Sequence, residues 1–212
     1  MKTKKMLIMI VVVISLLVVA VLGTYAYITY KLGPMTNVFT YGDIKLKFYE
    51  DSVSGGKTSD GNTYDLQWNK TYTKNVTLEL ENGSSPCYVF VIVENELVDV
   101  ESTEISSTQD SDGYLPVKRQ ILDEYSWSEY PEVNSNYIDI YVKRFGGNIT
   151  SSLLLKEFRT AERFNYNLIN DLDNDGSAEI TFTVYAIEDG GFSGYVEAWN
   201  ILKSQFPELQ KY

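Results

Sequence analysis

Histidine is absent from all 212 residues of the sequence. Without imidazole the chain has no Ser-His-Asp or Cys-His nucleophile, no HExxH zinc site and no histidine general base. Carboxylates, tyrosines and lysines are the titratable groups that remain for catalysis. This composition argues against an ordinary hydrolase.

Cysteine is almost as scarce, because Cys87 is the single one. An exported chain that relied on disulfides would carry several cysteines in even number, so this fold must be held by its core. Cys87 directly precedes the apolar run 88–93, and no histidine can activate its thiol. We therefore interpret Cys87 as a small buried hydrophobe rather than as a nucleophile.

Basic side chains are outnumbered by acidic ones, 18 against 29. Lys2, Lys4 and Lys5 are the charged residues of positions 1–26, so residues 27–212 hold 15 basic and 29 acidic side chains and carry a net charge of −14. Phosphate backbones and anionic lipid heads repel such a body. We expect no nucleic-acid partner and no membrane contact beyond the N-terminal segment, which leaves cations, cell-wall polymers and other proteins.

The N-terminal segment, residues 1–26, has the pattern of an export signal. Three lysines precede the uncharged apolar run 6–23, and Thr24 and Ala26 occupy the −3 and −1 positions of a cleavage site before Tyr27. An uncleaved membrane anchor is the alternative, because such a run gives roughly 27 Å of helix against a hydrocarbon core of about 30 Å. In both cases the acidic body is exported, and residues 27–212 are long enough for one secreted domain.

Most of that body alternates between apolar and polar residues with a period of two. Segments 44–48, 72–81, 138–142 and 180–186 show this alternation and are predicted to be half-buried strands. Residues 88–93 are apolar at every position, which predicts a central strand covered on both faces. Five or more short strands separated by turns predict an all-β, jelly-roll-like β-sandwich.

One segment near the C-terminus has a helical period instead. Its apolar residues recur at intervals of three and four, and they are Phe192, Tyr195, Val196, Trp199, Leu202 and Phe206. Ser193 is a candidate N-cap and Pro207 marks the end, so residues 193–206 are predicted to form an amphipathic helix. We expect its apolar face to pack on an end or face of the sandwich, and docking onto another protein is the alternative.

Two segments rich in acidic and hydroxyl residues, 51–63 and 99–113, are predicted surface loops. A third acidic run, Asp171, Asp173 and Asp175 followed by Gly176, has the spacing of a calcium-binding loop. Its twelfth position is Phe182 rather than glutamate. A calcium site here therefore competes with a plain polar turn that enters the strand at Ile180.

Three blocks of the sequence resemble the camelysin and TasA family of secreted bacterial proteins. The first comprises residues 23–27 (GTYAY) and 37–45 (NVFTYGDIK), and the second is 82–91 (NGSSPCYVFV). The third is 180–203 (ITFTVYAIEDGGFSGYVEAWNILK), in which Glu188 replaces the usual glutamine. Together the blocks cover about a quarter of the chain, and the region from about 98 to 170 matches only loosely.

The resemblance implies a jelly-roll-like sandwich of a Gram-positive bacterium, processed by a SipW-type signal peptidase. It further implies self-association into extracellular fibres of a biofilm matrix, or association with related matrix proteins, by donation of the freed N-terminal strand. The donor would be residues 27–39. Proline cannot donate to a strand ladder, so pairing should be interrupted at Gly33-Pro34 or confined to the residues after it: Met35, Thr36, Asn37, Val38 and Phe39. The alternative is that this segment pairs in its own domain or remains a flexible tether.

Camelysin is also classed as a metallopeptidase, but a chain without histidine lacks the usual zinc ligands. The sequence therefore predicts a non-catalytic structural protein at the cell surface or outside the cell, with calcium as its one candidate cofactor. The alternative function is a monomeric cell-surface binding module anchored by residues 6–23.

Overall fold

A computed structural model of the protein describes residues 29–32, 44–59, 61–102, 114–131, 135–147, 150–162 and 178–212. These residues form nine strands and two α-helices. The strands are β1 (Thr29–Leu32), β2 (Leu46–Asp51), β3 (Lys57–Thr58), β4 (Thr71–Leu80), β5 (Cys87–Asn95), β6 (Ser128–Glu129), β7 (Ile138–Phe145), β8 (Thr150–Arg159) and β9 (Ile180–Glu188). The helices are α1 (Val117–Arg119), which continues as a π-helical turn over Gln120–Glu124, and α2 (Tyr195–Gln205), which is followed by a 3₁₀ helix over Pro207–Lys211.

The strands form two antiparallel sheets, which confirms the predicted all-β sandwich. Sheet I has the order β1-β9-β5-β7-β6, and sheet II has the order β3-β2-β4-β8. Every pairing between neighbouring strands is antiparallel. β1 is therefore the edge strand of sheet I and contacts only β9 there.

Strand β5 is buried on both faces, as its unbroken apolar run predicts. Val89, Val91 and Val93 belong to the core between the two sheets. Phe90 and Ile92 point the other way and pack in a second core under α2. Because successive side chains of a strand alternate in direction, one strand contributes to two cores and the domain has three layers.

Helix α2 confirms the predicted C-terminal helix and its packing on a face of the sandwich, with two corrections. Its N-cap is Gly194 rather than Ser193, whose N–H and hydroxyl both donate at 2.9 Å to the Glu197 carboxylate. Val196 was assigned to the apolar stripe but is 46% exposed, and Ala198 is buried in its place. The rest of the predicted stripe is confirmed, because Trp199 and Leu202 are fully buried.

Three elements of the middle region, the short β6, the long β8 and helix α1, were not predicted. β8 pairs with β4 and forms the far edge of sheet II. α1 and its π-helical turn pack against β8. The predicted surface loop 99–113 also requires correction where it begins, because Val100, Glu101 and Ser102 are buried. Residues 103–113 lie outside the described residues, and the other predicted loop, 51–63, is largely exposed around the short strand β3.

Candidate functional site

The edge of sheet I is formed by a short strand from the N-terminal part of the chain. In β1, Thr29 to Leu32 pair in register with Ile187 to Val184 of β9. β9 is nine residues long, and all nine pair with β5 on its other side. Only four of the nine are therefore covered by β1, and the part of β9 before Val184 has no second strand neighbour among the described residues.

The location of β1 matters because it precedes Gly33-Pro34. The sequence predicted donor-strand pairing that is either interrupted at this dipeptide or confined to the residues after it, Met35, Thr36, Asn37, Val38 and Phe39, which lie outside the described residues. The cleavage-site residues Thr24, Ala26 and Tyr27 and the candidate calcium ligands Asp171, Asp173 and Asp175 also lie outside them. In β1, residues 29–32 pair with β9 of their own chain. For these four residues the structure therefore has the arrangement that is the alternative to donation.

The described residues offer neither a candidate metal site nor a candidate membrane helix. They contain no group of three or more Asp, Glu, Cys or His side chains placed to hold a metal ion. No helix in the same residues combines the length and the apolar character required to cross a membrane.

Cys87 is fully buried at the start of β5, in the core between the sheets. Burial raises the pKa of its thiol to about 12, and the nearby Asp189 and Glu188 carboxylates add to the increase. A thiol with such a pKa is protonated at neutral pH and is a poor nucleophile. This confirms the interpretation of Cys87 as a core residue.

Glu101 is a buried carboxyl group that the sequence analysis missed. Its Oε1 accepts hydrogen bonds from the Tyr114 hydroxyl at 2.6 Å and from the backbone N–H of Val117, the first residue of α1, at 2.7 Å. Tyr114 in turn accepts from the N–H of Arg159 at the end of β8. Burial raises the pKa of Glu101 to about 7 in spite of the two hydrogen bonds, which favour the charged form. The group links the chain after β5 to α1 and β8.

A second polar cluster lies at one end of sheet II and comprises the buried Glu50 and Lys74 and the half-buried Asn62. Lys74 Nζ lies 3.2 Å from Glu50 Oε2, and their side chains are 11% and 8% exposed. The Asn62 side-chain amide donates to Glu50 Oε1. The sequence offered a signal at each charged residue. Glu50 continues the inward positions of Leu46 and Phe48, and Lys74 lies two residues from Tyr72 and from Val76.

β4 has an irregularity beside this cluster. Its pairing with β8 shifts register between Thr73 and Thr77, and Asn75 adopts a φ of 44°. Tyr72, Lys74 and Val76 are all buried on the inner side of the strand. The bulge therefore holds a lysine among apolar neighbours.

No protein-family model, curated protein or solved structure matches this chain. The function must accordingly be argued from the sheet edge, the charge and the export pattern.

Proposed function

We propose that this protein is a secreted, non-catalytic structural subunit that self-associates into fibres at the cell surface or in a biofilm matrix. Each subunit would donate its N-terminal strand to the sheet of a neighbour. The proposal is supported chiefly by the four-residue β1, which covers less than half of β9 at the edge of sheet I. The export pattern of residues 1–26 and the resemblance to camelysin and TasA proteins support it as well.

The physical basis is the backbone of an edge strand. An uncovered strand presents unpaired N–H and C=O groups, which an extended segment of another chain can satisfy. β1 contacts the domain through β9 alone in sheet I, so its exchange between chains leaves the other strand pairings intact. In the fibre, the donor segment 27–39 of one subunit would pair with β9 of the next, with residues 29–32 in the place that β1 occupies.

The non-catalytic part of the proposal follows from the chemistry of the chain. The whole sequence has no histidine, and a camelysin-type metallopeptidase would have to bind its metal with other ligands. Assays of the purified mature protein with and without a chelator test this. Chelator-sensitive peptide cleavage would contradict the structural role, and heat on calcium titration would establish the separate calcium site predicted at Asp171, Asp173 and Asp175.

One observation favours the second candidate, a monomeric cell-surface module anchored by residues 6–23. β1 pairs with β9 of its own chain, which is the arrangement of a self-contained domain. An anchor that is never cleaved would also keep β1 close to the bilayer and prevent donation. The two candidates therefore differ in which chain supplies the strand beside β9.

Paired cysteines across β1 and β9 test that difference. In a Cys87→Ala background, Tyr30→Cys is combined with Ala186→Cys, because these residues are register partners. Partners in an antiparallel pair have Cα atoms about 4.5–5.5 Å apart, within the range of a disulfide. Strand donation predicts a reducible ladder of covalent oligomers from assembled protein, whereas an intrachain disulfide in that material would overturn it.

The control combines Tyr30→Cys with Val53→Cys. Val53 is 64% exposed in the β2–β3 connection and is not a partner of β1. This pair should give no ladder, because collisions between exposed thiols do not reproduce a register. Deletion of residues 27–39 provides the complementary test, since it should abolish filaments in the electron microscope and leave a soluble domain.

A further inference from the structure

The cluster of Lys74, Glu50 and Asn62 brings an amine, a carboxylate and a carboxamide together at one end of sheet II. We propose that Lys74 and Asn62 form an intramolecular isopeptide bond and that Glu50 moves the protons for this reaction. The proposal rests on the geometry of these three side chains and is independent of strand donation.

The carboxylate of Glu50 contacts both reacting groups. One of its oxygens, Oε2, lies 3.2 Å from Lys74 Nζ, and the other, Oε1, accepts from the Asn62 amide nitrogen. The amine and the carboxamide are therefore held on opposite oxygens of one group. Because the two side chains are held close together, they need not first meet by diffusion. Such positioning accounts for a large part of many enzymatic rate enhancements.

The carboxamide of Asn62 is oriented by two backbone groups. Its Oδ1 accepts from the N–H of Val53 at 3.0 Å, and its Nδ2 donates to the carbonyl oxygen of Asp51 at 2.8 Å. The N–H on Oδ1 withdraws charge from the carbonyl and can stabilise the oxyanion that forms when an amine attacks Cγ. The nitrogen that must leave is Nδ2, which already donates a hydrogen bond to Glu50 Oε1.

The reaction requires no external reagent. Lys74 transfers a proton to Glu50, and the neutral amine attacks Asn62 Cγ, which forms the Nζ–Cγ bond and places a negative charge on Oδ1. Glu50 then protonates Nδ2, the Cγ–Nδ2 bond breaks, and the nitrogen departs with its electron pair as ammonia. Glu50 takes the proton left on Nζ and passes it to the ammonia, so the products are an amide, one ammonium ion and the original carboxylate.

Burial of the Lys74 and Glu50 side chains favours a neutral product, although the nearby Tyr64 ring itself attracts the ammonium. Lys74 Nζ lies 4.9 Å from the centroid of the Tyr64 ring, which itself packs edge-on against Tyr72 with centroids 5.4 Å apart. The Tyr64 hydroxyl donates to the carbonyl of Thr73 at 3.1 Å. A buried ammonium and carboxylate are costly to desolvate, whereas an amide carries no charge. The bond would tie the connection between β3 and β4 to β4 itself.

Intact mass spectrometry and peptide mapping of the full chain provide the test. The protein should be lighter than its sequence requires by one ammonia molecule. Trypsin should fail to cleave after a linked Lys74, so residues 58–70 should be recovered joined to residues 71–118, where the next basic residue after Lys74 is Lys118. A protein that keeps the full sequence mass after prolonged incubation would overturn the proposal.

Variants separate this bond from other losses of ammonia, such as succinimide formation at an asparagine. Lys74→Arg, Asn62→Ala and Glu50→Gln should each restore the full mass expected for the variant and abolish the joined peptide. The matched control is Asn75→Gly, because the Asn75 amide also donates to a carboxylate, that of Asp51, at 2.8 Å. Glycine suits its positive φ, and this variant should remain linked. Loss of ammonia that persists in Lys74→Arg would refute the proposal.

Discussion

A single buried carboxyl group, Glu101, gives the protein a predictable dependence of stability on pH. Its pKa in the folded chain is about 7, above the 4.5 of the exposed group. Between these values the folded state binds more protons than the unfolded state, so the free energy of unfolding falls as pH rises through the window and is level above it. A shift of this size corresponds to about 3 kcal/mol.

Glu101→Gln should remove this contribution. Glutamine keeps an oxygen to accept from Tyr114 and Val117 but cannot ionise. Chemical denaturation should show that the loss of unfolding free energy between about pH 4 and about pH 8 is smaller in the variant by about 3 kcal/mol. Glu162→Gln, which removes an exposed carboxylate, is the control and should behave as the unaltered protein does. Equal pH profiles for Glu101→Gln and the control would contradict the assignment.

At the scale of the element, α2 is stabilised by the aromatic core that it buries against sheet I. Trp199 is fully buried, and its ring lies 5.0 Å from the Phe90 ring and 5.5 Å from the Tyr130 ring, centroid to centroid. Trp199→Ala should lower the free energy of unfolding by about 3–5 kcal/mol, since a large cavity would open between α2 and sheet I. Val196→Ala on the exposed side of the same helix should change it by less than about 0.5 kcal/mol. Denaturant titrations of the two variants make the comparison, and similar losses would show that α2 is not anchored through Trp199.

The elements differ in how well the sequence predicts them, and the reason is periodicity. β5 and β9 were predictable because burial on one or both faces leaves a direct pattern in the residues. β8 was not, because Leu154 and Leu155 are adjacent and both fully buried. The register shifts of the β4–β8 pairing lie opposite them, and an irregular strand pair breaks the alternation on which the prediction depends.

The polar clusters were also only partly predictable from the sequence. Glu50 continues the inward parity of β2, and Lys74 lies two residues from Tyr72 and from Val76, so each could have been identified as an inward charge. Their meeting with Asn62 depends on the pairing of β2 with β4 and on the path of a connection, which no local pattern encodes. Glu101 was hidden for a different reason, since its neighbours in sequence are those of an acidic surface loop.

For the whole molecule, charge should control assembly. Residues 27–212 carry a net charge of −14, so the subunits of any fibre repel one another. Added salt shortens the Debye length from about 10 Å at 0.1 M to about 3 Å at 1 M, and mild acid lowers the carboxylate charge itself. Fibre formation by the mature protein should therefore become faster with either change, as followed by light scattering.

Salt and acid change different contributions to assembly, so their effects can be separated. Salt screens every exposed charge, whereas acid also protonates Glu101, whose pKa is about 7, and thereby stabilises the folded subunit. Glu101→Gln should leave the response to salt unchanged and reduce only that part of the acid response that depends on subunit stability. If the mature protein remains monomeric at every salt concentration and pH, strand donation fails as the function. The anchored monomeric module would then be the better account of the partly covered edge of β9.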